Sequence, residues 1–131
     1  MKVDPEHHRG DSRLVNEAQG TTLLLRRFTD AGYAIQQNFH FHEGDIEVDL
    51  DGWDASARVG YEYITAEAGD YLQFTPETLA RFEARMRKAE LFVLLVDEHD
   101  AVNEASLNAA ATGFLEELSK RVEARNQAGG A

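Results

Sequence analysis

Apolar and polar positions recur along this chain with two different periods, and the changes of period mark its elements. In residues 14–30, Leu24, Leu25 and Phe28 share one helical face and Gly32 follows as a left-handed stop, which predicts a first helix there. Gly20, a poor helix former, works against its N-terminal half. In residues 33–41 the period drops to two: Tyr33, Ile35, Gln37, Phe39 and Phe41 alternate with Ala34, Gln36, Asn38 and His40, as in a strand with one wet face. Ile46, Val48 and Leu50 alternate with Glu47, Asp49 and Asp51 in a second strand. Asp51-Gly52 reads as a tight turn leading into a third, antiparallel strand over residues 58–65. Residues 66–74 form a connection turning at Gly69-Asp70.

Thr75-Pro76-Glu77 is a helix start: a capping hydroxyl, proline at the first helical position and an acid in the first turn. That second helix runs to about Ala89 and buries Leu79, Phe82 and Met86. The unbroken apolar run 91–96 (LFVLLV) has the composition of a central strand covered on both faces. Asn103 then caps a third helix, whose stripe is Leu107, Ala111, Phe114, Leu118 and Val122. The predicted fold class is α/β: a single domain with a mixed four-stranded sheet flanked by helices, in the order α-β-β-β-α-β-α. The domain is expected over residues 14–125, with a flexible leader over 1–13 and a flexible tail over 126–131.

Charge narrows the functional classes. The formal net charge of −11 argues against a broad nucleic-acid footprint, which needs clustered Lys and Arg, and favours a basic protein partner or cations. With no cysteine, thiolate metal sites, disulfides and cysteine nucleophiles are excluded. The polar start of the chain and the lack of a long apolar run imply a cytoplasmic protein without a membrane partner.

The acids concentrate around the second strand. Glu43, Asp45, Glu47, Asp49, Asp51 and Asp54 lie between residues 43 and 54 with no base among them, and Glu62 interrupts the apolar run of the third strand. A turn centred at Gly52–Asp54 sets Glu62 across from Glu43 and Asp45, with Asp49 and Asp51 nearer the turn. Converging carboxylates repel one another unless a hard cation neutralises them, so Asp45, Asp49, Asp51 and Glu62 are candidate metal ligands. Trp53 and Asp54, at the expected tip, are candidate partner contacts. Glu47, Asp49, Asp51 and Gly52 match the first half of an EF-hand loop, but Arg58 stands where its bidentate Glu belongs. His40 and His42 share a strand face, with Glu47 following and Asp45 or Glu43 as a third candidate ligand. Arg81, Arg85 and Lys88 form a basic helical stripe, flanked by Glu77 and Glu83 four residues before Arg81 and Arg87.

The element order and the placement of these acids resemble the PD-(D/E)xK, or restriction-endonuclease-like, nuclease superfamily. That resemblance implies an αβββαβ core in which an Asp on the second strand and a D/E-x-K on the third bind Mg²⁺ and activate water for phosphodiester cleavage. It assigns the second-strand acid to Asp45, Asp49 or Asp51, the third-strand acid to Glu62, and a first-helix acid to Glu17. Ca²⁺ or Mn²⁺ are alternatives to Mg²⁺. The triplet Glu62-Tyr63-Ile64 departs from the motif, with Ile64 in the place of the lysine; Arg58, Arg81 or Arg85 are the candidate replacements. Two readings follow. One is a non-catalytic acidic interaction or regulatory module that binds a divalent cation and a protein partner. The other is a metal-dependent nuclease using Asp45 or Asp51 with Glu62, the only reading that brings in nucleic acid.

Overall fold

The computed structural model describes residues 15–130, with side chains through Ala124; the expected leader lies outside the described residues. Helix α1 (Glu17–Asp30) leads into β1 (Gln36–Glu43), β2 (Ile46–Asp54) and β3 (Val59–Ile64). A short 3₁₀ turn (Asp70–Leu72) precedes α2 (Pro76–Arg87), and β4 (Phe92–Asp97) and α3 (Glu104–Gly130) complete the chain. The sheet order is β1-β2-β3-β4, antiparallel except for the parallel β3–β4 pair. This is the α/β domain with a mixed four-stranded sheet expected from the pattern. Within the expected tail, the backbone of α3 continues through Gly130.

The caps explain where the helices begin. Asn16 accepts from Gln19 N–H while the Gln19 side chain accepts from Asn16 N–H, a capping box. Thr75 accepts from Thr78 N–H with Pro76 behind it, and Asn103 accepts from Ser106 N–H. Two cores fill the space on either side of the sheet. Leu24 and Phe28 of α1 and Leu107, Ala111 and Leu118 of α3 pack with Val59, Tyr61 and Tyr63. On the other face, Phe82 of α2 packs with Phe41, Val48, Leu50, Trp53, Ile64 and Val93.

The register differs from the expected one. The tight turn is Gly44-Asp45, between the paired residues Glu43 and Ile46, with Gly44 at φ 59°. Asp51-Gly52 lies inside β2, and the β2–β3 turn falls at residues 55–58. Gly52 serves packing here: a Cβ on it would sit 2.4 Å from the buried Tyr61 ring. Leu50 and Trp53, three residues apart, enter the same core, so the alternation slips at Asp51–Gly52. At that level of β1, Asn38 takes a left-handed φ of 53°, and the predicted one-sided face of Tyr33 to Phe41 splits. Tyr33 and Ile35 join the α1–α3 core, whereas Phe39 and Phe41 join the α2 core.

Beyond this slip the β1–β2 ribbon curls over α2. Phe41 pairs with Val48, which a straight strand would hold roughly 16 Å from Trp53. Their ring centroids are nevertheless 5.1 Å apart. At the ribbon's tip, Glu43 accepts from both Nη atoms of Arg58 at 3.0 and 2.8 Å and from Nη2 of Arg85 at 2.8 Å. The Arg58 hydrogen bonds, seconded by Arg85, hold the Glu43 carboxyl down at about 2.

The run 91–96 is the sheet's edge and not its centre, although α2 and α3 cover its two faces as its composition required. Gly20 also finds its reason in packing, since a Cβ there would lie 2.3 Å from the Tyr63 ring, itself fully buried. Gly20→Ala is therefore expected to destabilise the protein by about 1–3 kcal/mol in urea unfolding, overpacking outweighing a helix-propensity gain of about 1 kcal/mol. Unchanged or increased stability in Gly20→Ala would show that the Tyr63 contact does not constrain α1.

Candidate functional site at the β2–β3 fork

β2 and β3 are paired only at Gly52–Tyr61, Trp53–Gly60 and Asp54–Val59. The next residues outward are Asp51 and Glu62, and there the strands part. Side chains replace the missing ladder: Asp51 N–H donates to Glu62 Oε1 at 2.7 Å, and Tyr63 N–H donates to Asp51 Oδ2 at 2.8 Å. Each carboxylate thus satisfies a backbone donor that the departing strand would otherwise leave unpaired.

Two further acids flank the fork. Asp70, at the start of the 3₁₀ turn, accepts from Thr65 N–H at 3.1 Å. Glu17, in the first turn of α1, accepts from the Thr65 hydroxyl at 2.9 Å. Glu62 is only 1% exposed, and its Oε2 is buried without a hydrogen-bond partner. Among the described residues no Lys, Arg or His is ion-paired with Glu17, Asp51, Glu62 or Asp70. Burial, then the charges of Asp51 and Asp70, push the Glu62 carboxyl far above its ordinary range. Burial also raises Asp51, with Glu17 and Asp70 adding to it against the Tyr63 N–H. Glu17 rises chiefly from burial. Both shifts favour the protonated form of these carboxyls over that of a free one.

The other expected site residues lie elsewhere. Asp45, predicted to sit beside Glu62, is at the ribbon tip with Arg81 Nε 3.2 Å away, because the true turn is Gly44-Asp45. Asp49 is on the outer ribbon face, where Gln73 donates from Nε2 to its Oδ2 at 3.0 Å and accepts from its backbone N–H. Asp49 and Glu47 also hold the two ring nitrogens of His40, at 2.8 and 2.9 Å. The Asp49 contact, followed by Glu47, raises the His40 pKa, so this ribbon contains its own counter-charge. His42 Nδ1 stands 3.9 Å from Glu47. Trp53 and Asp54 are not at a tip. Trp53 is 2% exposed, packed on Phe39 and Phe41 and beneath the Arg58 guanidinium, which removes it from partner contact. Asp54 accepts from Ala34, Ser56 and Ala57 N–H groups and shapes the β2–β3 turn.

Arg58, Arg81 and Arg85 do not stand in for the motif lysine, since each is spent on Glu43, Asp45 or Glu90. Ile64, at the lysine's position, is 3% exposed and packs in the α2-side core. Asp70 marks only a turn in the sequence, and a chain pattern carries no signal that a turn acid will fold back onto the strand end that precedes it by five residues.

Comparisons with protein-family models, with curated proteins and with solved structures give no significant match. The site must be read from its own chemistry. Among the described residues no three His, Asp or Glu side chains are gathered around one point as a ready-made metal cage. Mg²⁺ does not require one: it commonly keeps several waters and takes one or two carboxylates. The unbonded Oε2 of Glu62, whose Oε1 accepts from Asp51 N–H, fits that demand.

The raised Glu62 pKa has a definite sign in stability. A carboxyl raised in the folded state contributes stability that is complete below its unfolded value, about 4.3, and lost as pH climbs through the folded value. Glu62→Gln keeps the acceptor for Asp51 N–H and cannot ionise. It should match wild type near pH 4 and exceed it by about 1–3 kcal/mol at pH 8 in metal-free urea titrations. A wild-type advantage at pH 8 would mean that the buried charge is not the cost inferred here.

Proposed function

We propose that this chain is a non-catalytic interaction or regulatory module on a restriction-endonuclease-like scaffold, in which the fork binds a divalent cation. The observation that carries the reading is the cross-bonded pair Asp51–Glu62, with Glu62 Oε2 buried and unbonded. Asp51 on the second strand and Glu62 on the third match the acids of the PD-(D/E)xK pattern, and the α-β-β-β-α-β order supports the same scaffold. Asp51 and Glu62 would hold the ion, with Glu17 and Asp70 accepting from its waters. Mg²⁺ fits this hard-oxygen set, and Mn²⁺ and Ca²⁺ are the alternatives. Bound there, the ion would neutralise the two carboxylates in place of a proton.

The non-catalytic half rests on Ile64 and on the engaged arginines. Phosphodiester hydrolysis needs a cation near the developing charge of the phosphate, and an apolar side chain in the core supplies none. The chain's acidity suits a basic protein partner. A second reading, a metal-dependent nuclease using Asp51 with Glu62, is favoured by the same juxtaposed acids. Asp45 has no part in it.

Calorimetric titration separates these readings. Mg²⁺ and Mn²⁺ are expected to bind wild type saturably, with an enthalpy that varies with the buffer because a proton is displaced, and to bind Glu62→Gln at least roughly tenfold more weakly. DNA and RNA incubated with wild type and Mn²⁺ are expected to stay intact. Absence of binding would remove the cation site, whereas cleavage lost in Glu62→Gln would establish the nuclease instead.

A further inference from the structure

We propose that β4 is a self-association edge, at which a second copy of this chain adds its own β4 in antiparallel orientation and extends the sheet across a two-fold axis. The proposal concerns the far side of β3 from the fork and stands independently of any cation there.

The backbone of β4 is the first observation. Its pairing with β3 uses the amides of alternate residues: Phe92 N–H donates to Arg58 O, and Glu98 N–H donates to Ile64 O. The amides of Val93, Leu95 and Asp97 therefore point away from the sheet. Val93 N–H has only the Met86 sulfur, at 3.5 Å, a weak acceptor. Those of Leu95 and Asp97 have no partner among the described residues. An apolar edge strand of this kind is a template for another strand, and this one carries neither Pro nor an inward-facing Lys to blunt it.

Charge and shape choose the occupant. The N-terminal end of β4 is flanked by Arg87, Lys88 and Arg121. Glu117 there lies 3.3 Å from Arg121, and Glu90 is taken by Arg85. The C-terminal end carries Asp97, Glu98 and Asp100. Antiparallel self-pairing with Leu95 opposite its counterpart brings the basic end of each copy against the acidic end of the other, and sets Val93 across from Asp97. Beside the basic end an apolar groove of about 230 Å³ opens between Met86, Phe92, Phe114 and Leu118. Beyond the acidic end Val102 is 43% exposed with its apolar side chain uncovered. The two-fold arrangement carries Val102 of each copy toward the groove of the other, so one symmetry element matches backbone, charge and apolar surface together.

The test is analytical ultracentrifugation of the full chain over a concentration series, with amide hydrogen exchange followed at the same concentrations. A reversible dimer is expected, in which exchange at Leu95 and Asp97 slows as the dimer fills. Arg121→Glu, an exposed change whose folding is checked by circular dichroism, is expected to weaken association by roughly tenfold or more. A monomer up to about 1 mM overturns the proposal. So does a dimer that leaves exchange at Leu95 and Asp97 unchanged, or slow exchange there at every concentration, which would mean that the chain covers this edge itself.

Discussion

The hydrogen bonds that the Asp51 and Glu62 carboxylates accept across the fork are what allow one sheet to serve two layers. β2 must leave β3 for the β1–β2 ribbon to curl over α2, and leaving exposes backbone donors at Asp51 and Tyr63. The two carboxylates accept from those donors, so the parting has no unpaired amide. The rest of the curl follows: Phe41 reaches Trp53, and Glu43 reaches Arg58 and Arg85. What remains unsatisfied is one oxygen of Glu62, the electrostatic cost of holding the fork open.

Among the described residues, the acids of the ribbon tip, the outer ribbon face and the fork meet three different fates, and of these only the fork leaves charge without a cation. At the ribbon tip, Glu43 and Asp45 have arginine partners. On the outer ribbon face, Glu47 and Asp49 share His40, all three side chains being more than half exposed, where water screens whatever the ion pairs leave over. At the fork, Glu17, Asp51, Glu62 and Asp70 have hydrogen-bond donors but no cation among the described residues. A buried carboxyl pair in this state is less favourable than apolar residues of the same shape would be. Proteins give up stability in this way chiefly where a site has work to do, which is why the fork, and not the more acidic-looking ribbon, is the candidate.

The sequence pattern carried the element order because periodicity reports which faces are covered. It carried the later two helix starts because Thr75 and Asn103 are caps in the literal sense, whereas the cap of the first helix, Asn16, lies inside the residues 14–30 expected for that helix. It did not carry the register. Gly44-Asp45 and Asp51-Gly52 are both turn signals, and only the packing of Tyr61 against Gly52 decides that the second lies within a strand. That ambiguity moved Glu62 from Asp51 to Asp45 in the expected structure and lifted Trp53 to a tip it does not occupy. The face switch at Asn38 and Asp51 is invisible to a period-two count, since the apolar residues still alternate on either side of it. The run 91–96 teaches a related limit: continuous apolarity measures coverage of a strand's faces and says nothing about its edges.

On the proposed reading, a divalent cation would compete with protons for the same oxygens at the fork, which would tie its occupancy to the fold. With neither bound, Asp51 and Glu62 carry like charges across the seam that joins β2 to β3, and burial, more than their mutual repulsion, raises the pKa of each. A proton removes the repulsion by neutralising one carboxyl, and a cation removes it while leaving both ionised. Either ligand, once bound, would stabilise the folded chain by mass action, but their pH dependences are opposite: protonation fades as pH rises, whereas the carboxylates that a cation needs become available. Because the same two side chains accept from Asp51 N–H and Tyr63 N–H, whichever ligand is present acts directly on the bonds that hold the curled ribbon to the rest of the sheet. If the proposed cation binds, a fork without the motif lysine would still couple cation concentration and pH to the set of the β1–β2 ribbon, which is the physical content of the regulatory role proposed.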